Sequence, residues 1–411
     1  MIQVINPTMP DRFENGSGGL KLVLSSETAI NLFEGLAVKY NELANNELQL
    51  MQLQAVGNQS KVRWGSISPM QHVLSARKAG CTGGSKGSMH MNVDEADMNP
   101  IEYKGKFCPD ILWDNCLEQI FGVGTDIRNL LATDRGRTLW AMITKGVFNA
   151  IGNGIHELAW YGSHPSIAKS IAGNWFAHGR NELSPGDLQD FQNFVDQQEA
   201  STGFVTIMEQ IKTIGSKQNF KIKMESGVEI DATTGKWIGS PIVFFKKLVD
   251  NSTVRLNLLI DSLQYGMLPN IVVTKDIFDS YKNYLQVNYP GLQAGYEYRV
   301  KGVDGSLTTA RNVLMWEGFK IIYMNESKKF DAIVGTDTTA AFLAYPNVLG
   351  FAYDTPLVAN RQYQGAGLII QFNDDIHSGG EVKLRTDFKI NSTILDQDLI
   401  TYSSFIRTPT A

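Results

Sequence analysis

The pentapeptide HELAW, His156 to Trp160, comes within one residue of a zinc-binding helix. That motif needs two imidazoles one helical turn apart on one face, with a glutamate between them as the base. Trp160 stands where the second imidazole belongs and cannot bind metal, which leaves a His–Glu pair on a helix face. GCTGGSKGS, Gly80 to Ser88, has the glycines of a phosphate-cradling loop. Such a loop also needs Gly directly before its Lys and Ser or Thr directly after it. Here Ser85 precedes Lys86 and Gly87 follows it, so the segment reads as an ordinary flexible loop. Gly122 and Gly124 in GVGTD lack a βαβ setting, and no G-x-S-x-G elbow occurs. The six histidines (72, 90, 156, 164, 178 and 377) show no ligand spacing, and Cys108 and Cys116 have no second pair to complete a zinc site. Asp374–Asp375 and Asp396–Asp398 sit in turn-like sequence and read as solvated turn acids. The expectation is a chain without enzyme activity, metal or cofactor, although a site assembled only in space stays open.

Composition narrows the class. The chain has 411 residues, 43% of them hydrophobic and 19% charged, with a formal net charge of −5. That length favours two or three lobes over one core. Acids and bases are mixed along the chain, and no basic tail or stripe points to sequence-specific nucleic-acid binding. The three cysteines (Cys81, Cys108, Cys116) are an odd number without framework spacing and read as free thiols. MIQVINPTMPDRFENGSGG lacks the basic region and apolar core of a secretory signal, and no stretch reaches the roughly 18 apolar residues of a membrane span. Synthesis in a cytoplasm, no membrane partner and no removed prodomain are the expectations.

The elements that would carry any site follow in a definite order. Residues 1–24 read as an extended arm, and Ser26–Leu53 has helical spacing in Ile30, Phe33, Leu36, Ala37, Tyr40 and Leu43, then Leu48 and Met51, which predicts one long helix or two broken near Asn45–Asn46. Residues 54–88 are glycine-rich and without periodicity, a length of loop that is uncommon inside a compact domain. Met89–Val93 and Ile101–Phe107 alternate and predict an extended hairpin turning at DEADMNP. Such a hairpin gains stability by lying on another surface.

The strongest helix signal is RTLWAMITKGVFNAIGNGIHELAWYG, with Leu139, Ile143, Val147, Ile151, Ile155 and Leu158 in one stripe. Its internal glycines predict a bend or a close backbone approach near Gly152–Gly154. Further helices are predicted at 164–173, 185–199 and Pro241–Leu263. LPNIVVTKDIFDSYKNYL reads as a buried strand entering a helix with Ile277, Phe278, Tyr281 and Leu285 on one side. Strands follow at Tyr296–Val303 and Phe319–Met324. In FDAIVGTDTTAAFLA a strand is predicted up to Gly335, then a short helix capped by Asp337 or Thr338. GAGLIIQFN, EVKLRTDFKINSTIL and LITYSSF complete a strand-rich tail.

This order resembles the major capsid proteins of tailed bacteriophages. The resemblance runs from Cys81 through the hairpin to CPDIL, then the long helix ending in AWYG, GFVTIMEQI, LPNIVVTKDIFDSYKNYL and IVGTDTTAAF, together spanning residues 81–400. It implies an α+β chain with the tailed-phage capsid fold. The N-terminal arm and helix would be 1–60, the extended loop 61–110, the peripheral domain with its spine helix 111–217 and 356–411, and the axial domain 218–355. The glycines in the spine helix and the segment NELSPGDLQDFQNFVDQQ depart from the family pattern. The resemblance implies self-assembly into hexamers and pentamers that form an icosahedral or elongated shell around double-stranded DNA. Portal, scaffold and decoration proteins would be partners, with the shell assembled in a bacterial cytoplasm and ending in the virion. Candidate contacts between subunits are Arg63, Trp64, Met89, Met91, Ile101, Tyr103 and Phe107. Trp and Arg are enriched at interface hot spots, and packing of Trp64 on its own domain is the competing reading. An encapsulin-like compartment and a two-domain cytoplasmic enzyme are the alternatives.

Overall fold

The computed structural model of the chain describes residues 12–16, 19–23, 51–56, 60–67, 91–107, 146, 150–169, 193–215, 217–262, 268–289, 297–301, 307–324, 331, 338–354, 368–373 and 381–406. Its strands in chain order are β1 (Arg12–Gly16), β2 (Gly19–Val23), β3 (Met51–Ala55), β4 (Lys61–Ile67), β5 (Met91–Asp97), β6 (Asn99–Phe107), β7 (Ile222–Lys223) and β8 (Asn270–Val273). There follow β9 (Glu297–Lys301), β10 (Leu307–Trp316), β11 (Phe319–Tyr323), β12 (Thr338–Ala344), β13 (Leu349–Asp354), β14 (Leu368–Asn373), β15 (Glu381–Ile394) and β16 (Ile400–Ile406). The helices are α1 (150–161), α2 (Pro165–Lys169), α3 (193–199), α4 (Phe204–Ile214), α5 (Pro241–Asp250), α6 (Val254–Ser262) and α7 (Lys275–Asn288). The architecture is α+β.

β15 organises the first sheet. Its alternating sequence gives it one core face and one outer face. β14 and β13 pair in tandem along one edge of it, and β6 runs antiparallel along the other from Val382↔Phe107 to Ile390↔Asn99. The sheet continues through β2 to β1 at one end and through β13 to β3 at the other. Phe351 and Ile390 face the main core, with Ile101 and Tyr103 half-buried against it. Ala352, Asn391, Arg385, Glu102 and Lys104 belong to the opposite face by register.

The second sheet is mixed, in the order β7-β16-β12-β8-β11-β10-β9. β8 is buried at every residue, as expected of NIVV, and runs parallel to β11. Thr274 ends it: its hydroxyl accepts from Ala340 N–H at 3.2 Å and donates to Asp276 at 2.6 Å. α7 follows and buries Ile277, Phe278, Tyr281 and Leu285, the four residues picked out by helical spacing.

Three sequence expectations change. TTAAFLA is strand β12 and not a helix capped by Thr338; Asp337 lies outside the described residues. All seven of its residues are buried between β16 and β8, so it shows none of the alternation that would betray a half-buried strand. The helix expected to reach Leu53 gives way to β3, where Met51 is buried and Gln52 exposed with period two. The rest of that helix lies outside the described residues. Finally, β16 joins the second sheet, the one built from residues 222–344, although the sequence division grouped 356–411 with the other lobe.

α1 carries Ile151, Ile155 and Leu158 inward and ends against both lobes. Trp160 packs edge-on to Phe204 at 5.5 Å and beside Phe342 of β12 at 6.2 Å. The close backbone approach lies at the end of this helix. A Cβ on Gly203 would stand 2.5 Å from the Trp160 carbonyl carbon, and one on Gly162 would stand 2.2 Å from Ser201 O. At Gly154 the nearest atom would be the end of the Gln197 side chain, 3.2 Å away. Gly146 is exposed and helical, with open space where a Cβ would go. Gly146→Ala is therefore expected to stabilise the chain by up to about 1 kcal/mol, read as a higher urea midpoint. An unchanged or lower midpoint would contradict the open-helix placement.

His164 follows α1 and is 1% exposed. Its Nδ1 lies 2.8 Å from the Ser166 hydroxyl and accepts from Ser166 N–H at 3.3 Å, so the ring is held neutral with its proton on Nε2. Burial lowers its pKa to about 4, with the Glu209 carboxylate pulling weakly the other way. The unfolded chain takes up a proton near pH 6.5 that the folded protein refuses. This contribution to stability is whole above pH 6.5 and is lost as the pH falls towards 4. At pH 4.5 the loss is on the order of 2 kcal/mol. His164→Gln is expected to remove that slope, so the stability gap between wild type and variant should narrow by that amount from pH 7.5 to 4.5. Parallel pH profiles in urea unfolding would refute the buried neutral ring.

Candidate assembly ribbon

The hairpin drawn from sequence takes a different form. Met89–Val93 and Ile101–Phe107 do not pair with each other. β5 turns back on β4 in register from Lys61↔Asp97 to Ile67↔Met91, and β6 pairs with β15. DEAD, expected to turn, is the end of β5 and continues through Met98 into β6. Strands β4 and β3 also occupy part of the segment expected to be structureless. The signal in KVRWGSI was an alternation only seven residues long in glycine-rich surroundings.

β4 and β5 form a sheet of their own, and among the described residues neither has a second strand neighbour. Val62 and Trp64 point inward, and Lys61 and Arg63 outward. The base of this ribbon is a small separate core of Val56, Val62, Trp64, Met98 and Ala352, with Leu395 at its edge. The Trp64 ring lies over Gly350: a Cβ there would be 3.0 Å from Thr393 Cγ2, 3.1 Å from Leu395 Cδ2 and 3.2 Å from Trp64 Cη2, so glycine leaves room for the three side chains to pack on β13. Met98 N–H donates to Ser60 O at 2.8 Å, and Asn391 Nδ2 donates to Asp97 O at 2.9 Å. These bonds fix where the ribbon leaves the outer face of the first sheet.

Outward, Glu95 accepts from Lys61 Nζ at 2.6 Å and Arg63 Nε at 3.0 Å, across the two strands. The hydrogen bond from Lys61, then that from Arg63, holds the Glu95 carboxyl below its ordinary range, and the same contact raises the Lys61 ammonium. Both groups are exposed, so the pairing orders the ribbon surface more than it stabilises it. Glu102, Lys104 and Arg385 make a second exposed cluster on the same face of the first sheet, with Arg385 Nε 2.7 Å from Glu102.

The candidate contact residues separate into groups. Arg63 is on the exposed side of β4, and Trp64, beside it, is buried in its own chain. Ile101 and Tyr103 sit half-buried on the core face of β6, and partial burial raises the Tyr103 hydroxyl above its usual pKa. Met91 occupies the end of the ribbon opposite Ile67, and Phe107 the end of β6 opposite Val382. Met89, the three cysteines and Gly80–Ser88 lie outside the described residues. The structure also exposes apolar side chains that sequence reasoning passed over: Val254 and Leu258 one turn apart on α6, and Val287 on α7. Helical spacing marks such residues as core-facing, and only the packed structure shows which stripe is uncovered.

His156 and Glu157 are both buried, and Glu157 accepts from Gln197 Nε2 at 3.0 Å. Among the described residues no three His, Cys, Asp or Glu side chains are grouped to hold a metal ion, and no helix is long and apolar enough to cross a membrane.

No family model matches the chain, and no curated protein matches it. Solved structures do match, at low identity. A chain of the satellite phage P4 procapsid, solved with its size determination protein, is 8% identical; the match covers 92% of this chain and 98% of that one, with a TM-score of 0.45. The capsid of Ralstonia phage GP4 is 10% identical over 88% of each chain, with a TM-score of 0.43. The SrpI encapsulin of Synechococcus elongatus is 11% identical over 89% of this chain and 94% of its own, with a TM-score of 0.34. The chain is thus similar, along most of its length, to chains from phage capsid structures and from an encapsulin complex.

Proposed function

We propose that the chain is the major capsid protein of a tailed bacteriophage, acting by assembly and not by catalysis. The observation that carries this reading is the ribbon. It is anchored at its base by Trp64, Val62 and Met98, has no further strand on either edge among the described residues, and leads at its far end into the segment 68–90. A two-stranded ribbon has too little core to stand alone and gains most by lying on another surface. In a closed shell that surface is a neighbouring copy, and symmetry repeats the contact at every subunit. A stable interface buries roughly 1,000 Å² or more, which an arm and a ribbon reach without a broad globular face.

In this reading Arg63, Met91 and the segment holding Met89 contact the neighbour. Trp64 sets the direction in which they are presented, and Ile101, Tyr103 and Phe107 belong to the sheet that carries the ribbon. The arm is 1–60 and the extended loop 61–110. The peripheral domain takes 111–217 with 356–394, and the axial domain takes 218–355 with β16. Subunits form hexamers and pentamers that enclose double-stranded DNA, contacted without sequence preference, in a shell built in the host cytoplasm and carried in the virion. Portal, scaffold and decoration proteins complete the partners.

Mass photometry and negative-stain microscopy of the expressed chain test this. Megadalton shells, rings or tubes are expected. A clean species at or near the 45.6 kDa monomer under all assembly conditions would overturn it. Shells that copurify with an enzyme, and without DNA, would favour an encapsulin-like compartment.

A further inference from the structure

Two short segments carry the chain between the seven-stranded sheets, 345–348 from β12 to β13 and 395–399 from β15 to β16, and they meet. Tyr345 N–H donates to Leu399 O at 3.0 Å and Leu395 N–H to Val348 O at 2.8 Å, so each turn closes the other. Both turns are set by sequence. Pro346 enters the first, and Asn347 completes it at φ 59°, a conformation that Asn tolerates better than most residues. In the second, the Asp396 carboxylate accepts from Asp398 N–H at 3.0 Å and starts a 3₁₀ turn.

The second turn is also gripped from outside, by Asn219, Thr253 and Arg255 of the second-sheet lobe and by Lys217 just ahead of it. Arg255 Nη1 lies 2.6 Å from Asp396 Oδ2, and Lys217 Nζ lies 2.7 Å from Asp398 Oδ1. The Thr253 hydroxyl donates to Asp398 O, and Asn219 Nδ2 donates to Gln397 O at 2.8 Å and also to Ile400 O. Both carboxylates are on the linker, and the cations come from two separate segments, Arg255 on α6 and Lys217 ahead of β7. The Arg255–Asp396 pair is partly buried, which makes it more directional than a freely solvated pair.

We infer that this junction is an electrostatic lock on the mutual orientation of the two sheets. In the third crossing between them, the described residues Ile155, Leu158, Phe204 and Met208 of α1 and α4 are buried in the apolar core, and packed helices slide past one another in small steps. Ion pairs with fixed geometry select one of those arrangements. In a shell, the angle between the lobes decides where neighbours meet, so the lock would set local curvature. That consequence rests on the proposed function; the lock itself does not.

The test places spectroscopic labels, by unnatural amino acids, at Lys104 on the first sheet and Val287 on α7, both exposed. Wild type is expected to give one narrow distance distribution. In the Lys217→Ala/Arg255→Ala variant it should widen at least about twofold or split. Amide exchange at 345–348 and 395–399 should rise about tenfold, with β8 and β12 unchanged. If the double variant does not fold, Asp398→Asn and wild type in 1 M NaCl serve instead, since salt at that level shortens screening to about 3 Å. An unchanged distribution in a folded variant would overturn the lock, as would a rise in exchange shared equally by all strands. None of these readings needs particles, so failure of the chain to assemble leaves the test intact. Where particles form, the variant should spread their diameters; unchanged diameters would overturn the curvature consequence alone.

Discussion

Trp64→Ala is expected to release the ribbon while both seven-stranded sheets stay folded. The indole is 3% exposed and, with Val62, Met98 and Ala352, makes up nearly all of a core that the main cluster does not share. Removing a buried aromatic of this size costs about 3–5 kcal/mol. Here the loss falls on one element, because β4 and β5 have no other strand neighbours among the described residues. Hydrogen exchange should show protection lost across 61–67 and 91–97 and kept in β8, β12 and β15. Shell formation should fall with it. Trp64→Phe should recover much of the protection, because the buried Trp64 Nε1–H has no hydrogen-bond partner among the described residues and its loss costs little. Full ribbon protection in Trp64→Ala would show that the small core does not anchor it.

The second large effect is expected at Glu209. This carboxylate is 8% exposed on α4 and accepts from the Tyr402 hydroxyl at 2.7 Å and from the Ser404 hydroxyl. Lys212 stands 3.5 Å away and also donates to Ser404 Oγ at 2.6 Å. Burial, then the charge of Glu209, pushes the Tyr402 hydroxyl well above its ordinary pKa, so it stays a donor. The network ties β16 to α4. Glu209→Ala leaves two buried hydroxyls without their acceptor and a partly buried ammonium without its counter-charge, at a cost of about 3–5 kcal/mol. Glu209→Gln keeps an acceptor in place and should cost about 1–2 kcal/mol. Urea unfolding monitored by tryptophan fluorescence checks both. Equal losses in the two variants would mean that the side chain acts by volume and not by accepting hydrogen bonds.

Where the sequence was legible, one physical signal was unopposed. NIVV followed by the stripe Ile277, Phe278, Tyr281 and Leu285 switches from a continuous apolar run to helical spacing, and β8 and α7 follow it. The long alternation of EVKLRTDFKINSTIL could only be a strand with two different faces, and β15 has them. Misreadings came where burial on both sides erased the period, as in β12, or where pairing was non-local. β4 and β5 are separated by more than twenty residues, and nothing in Lys61–Ile67 names its partner. β16 alternates visibly, but only the fold shows which sheet receives it.

For the ribbon, the sequence located the region and left open which of its faces is inside. Trp64 attracted notice as an interface type of residue, yet its position on the inward face of β4 beside Gly350 places it in its own chain. Arg63, one residue earlier, takes the outward face. A period-two segment fixes that the two point opposite ways, and it does not say which way is out. The junction between the sheets was invisible for a related reason. Asp396 and Asp398 read as solvated turn acids until Arg255 and Lys217, more than a hundred residues earlier, are seen to meet them.

The most direct measurement is cryo-electron microscopy of particles formed by the expressed chain, combined with lysine–acid cross-linking across copies. The account requires residues 61–97 of one subunit to lie on the surface of the next, with Trp64 still seated over Gly350 of its own chain, and cross-links from Lys61 or Glu95 to a second copy. A ribbon folded entirely onto its own subunit in every copy would contradict it, as would a chain that stays monomeric with all cross-links internal.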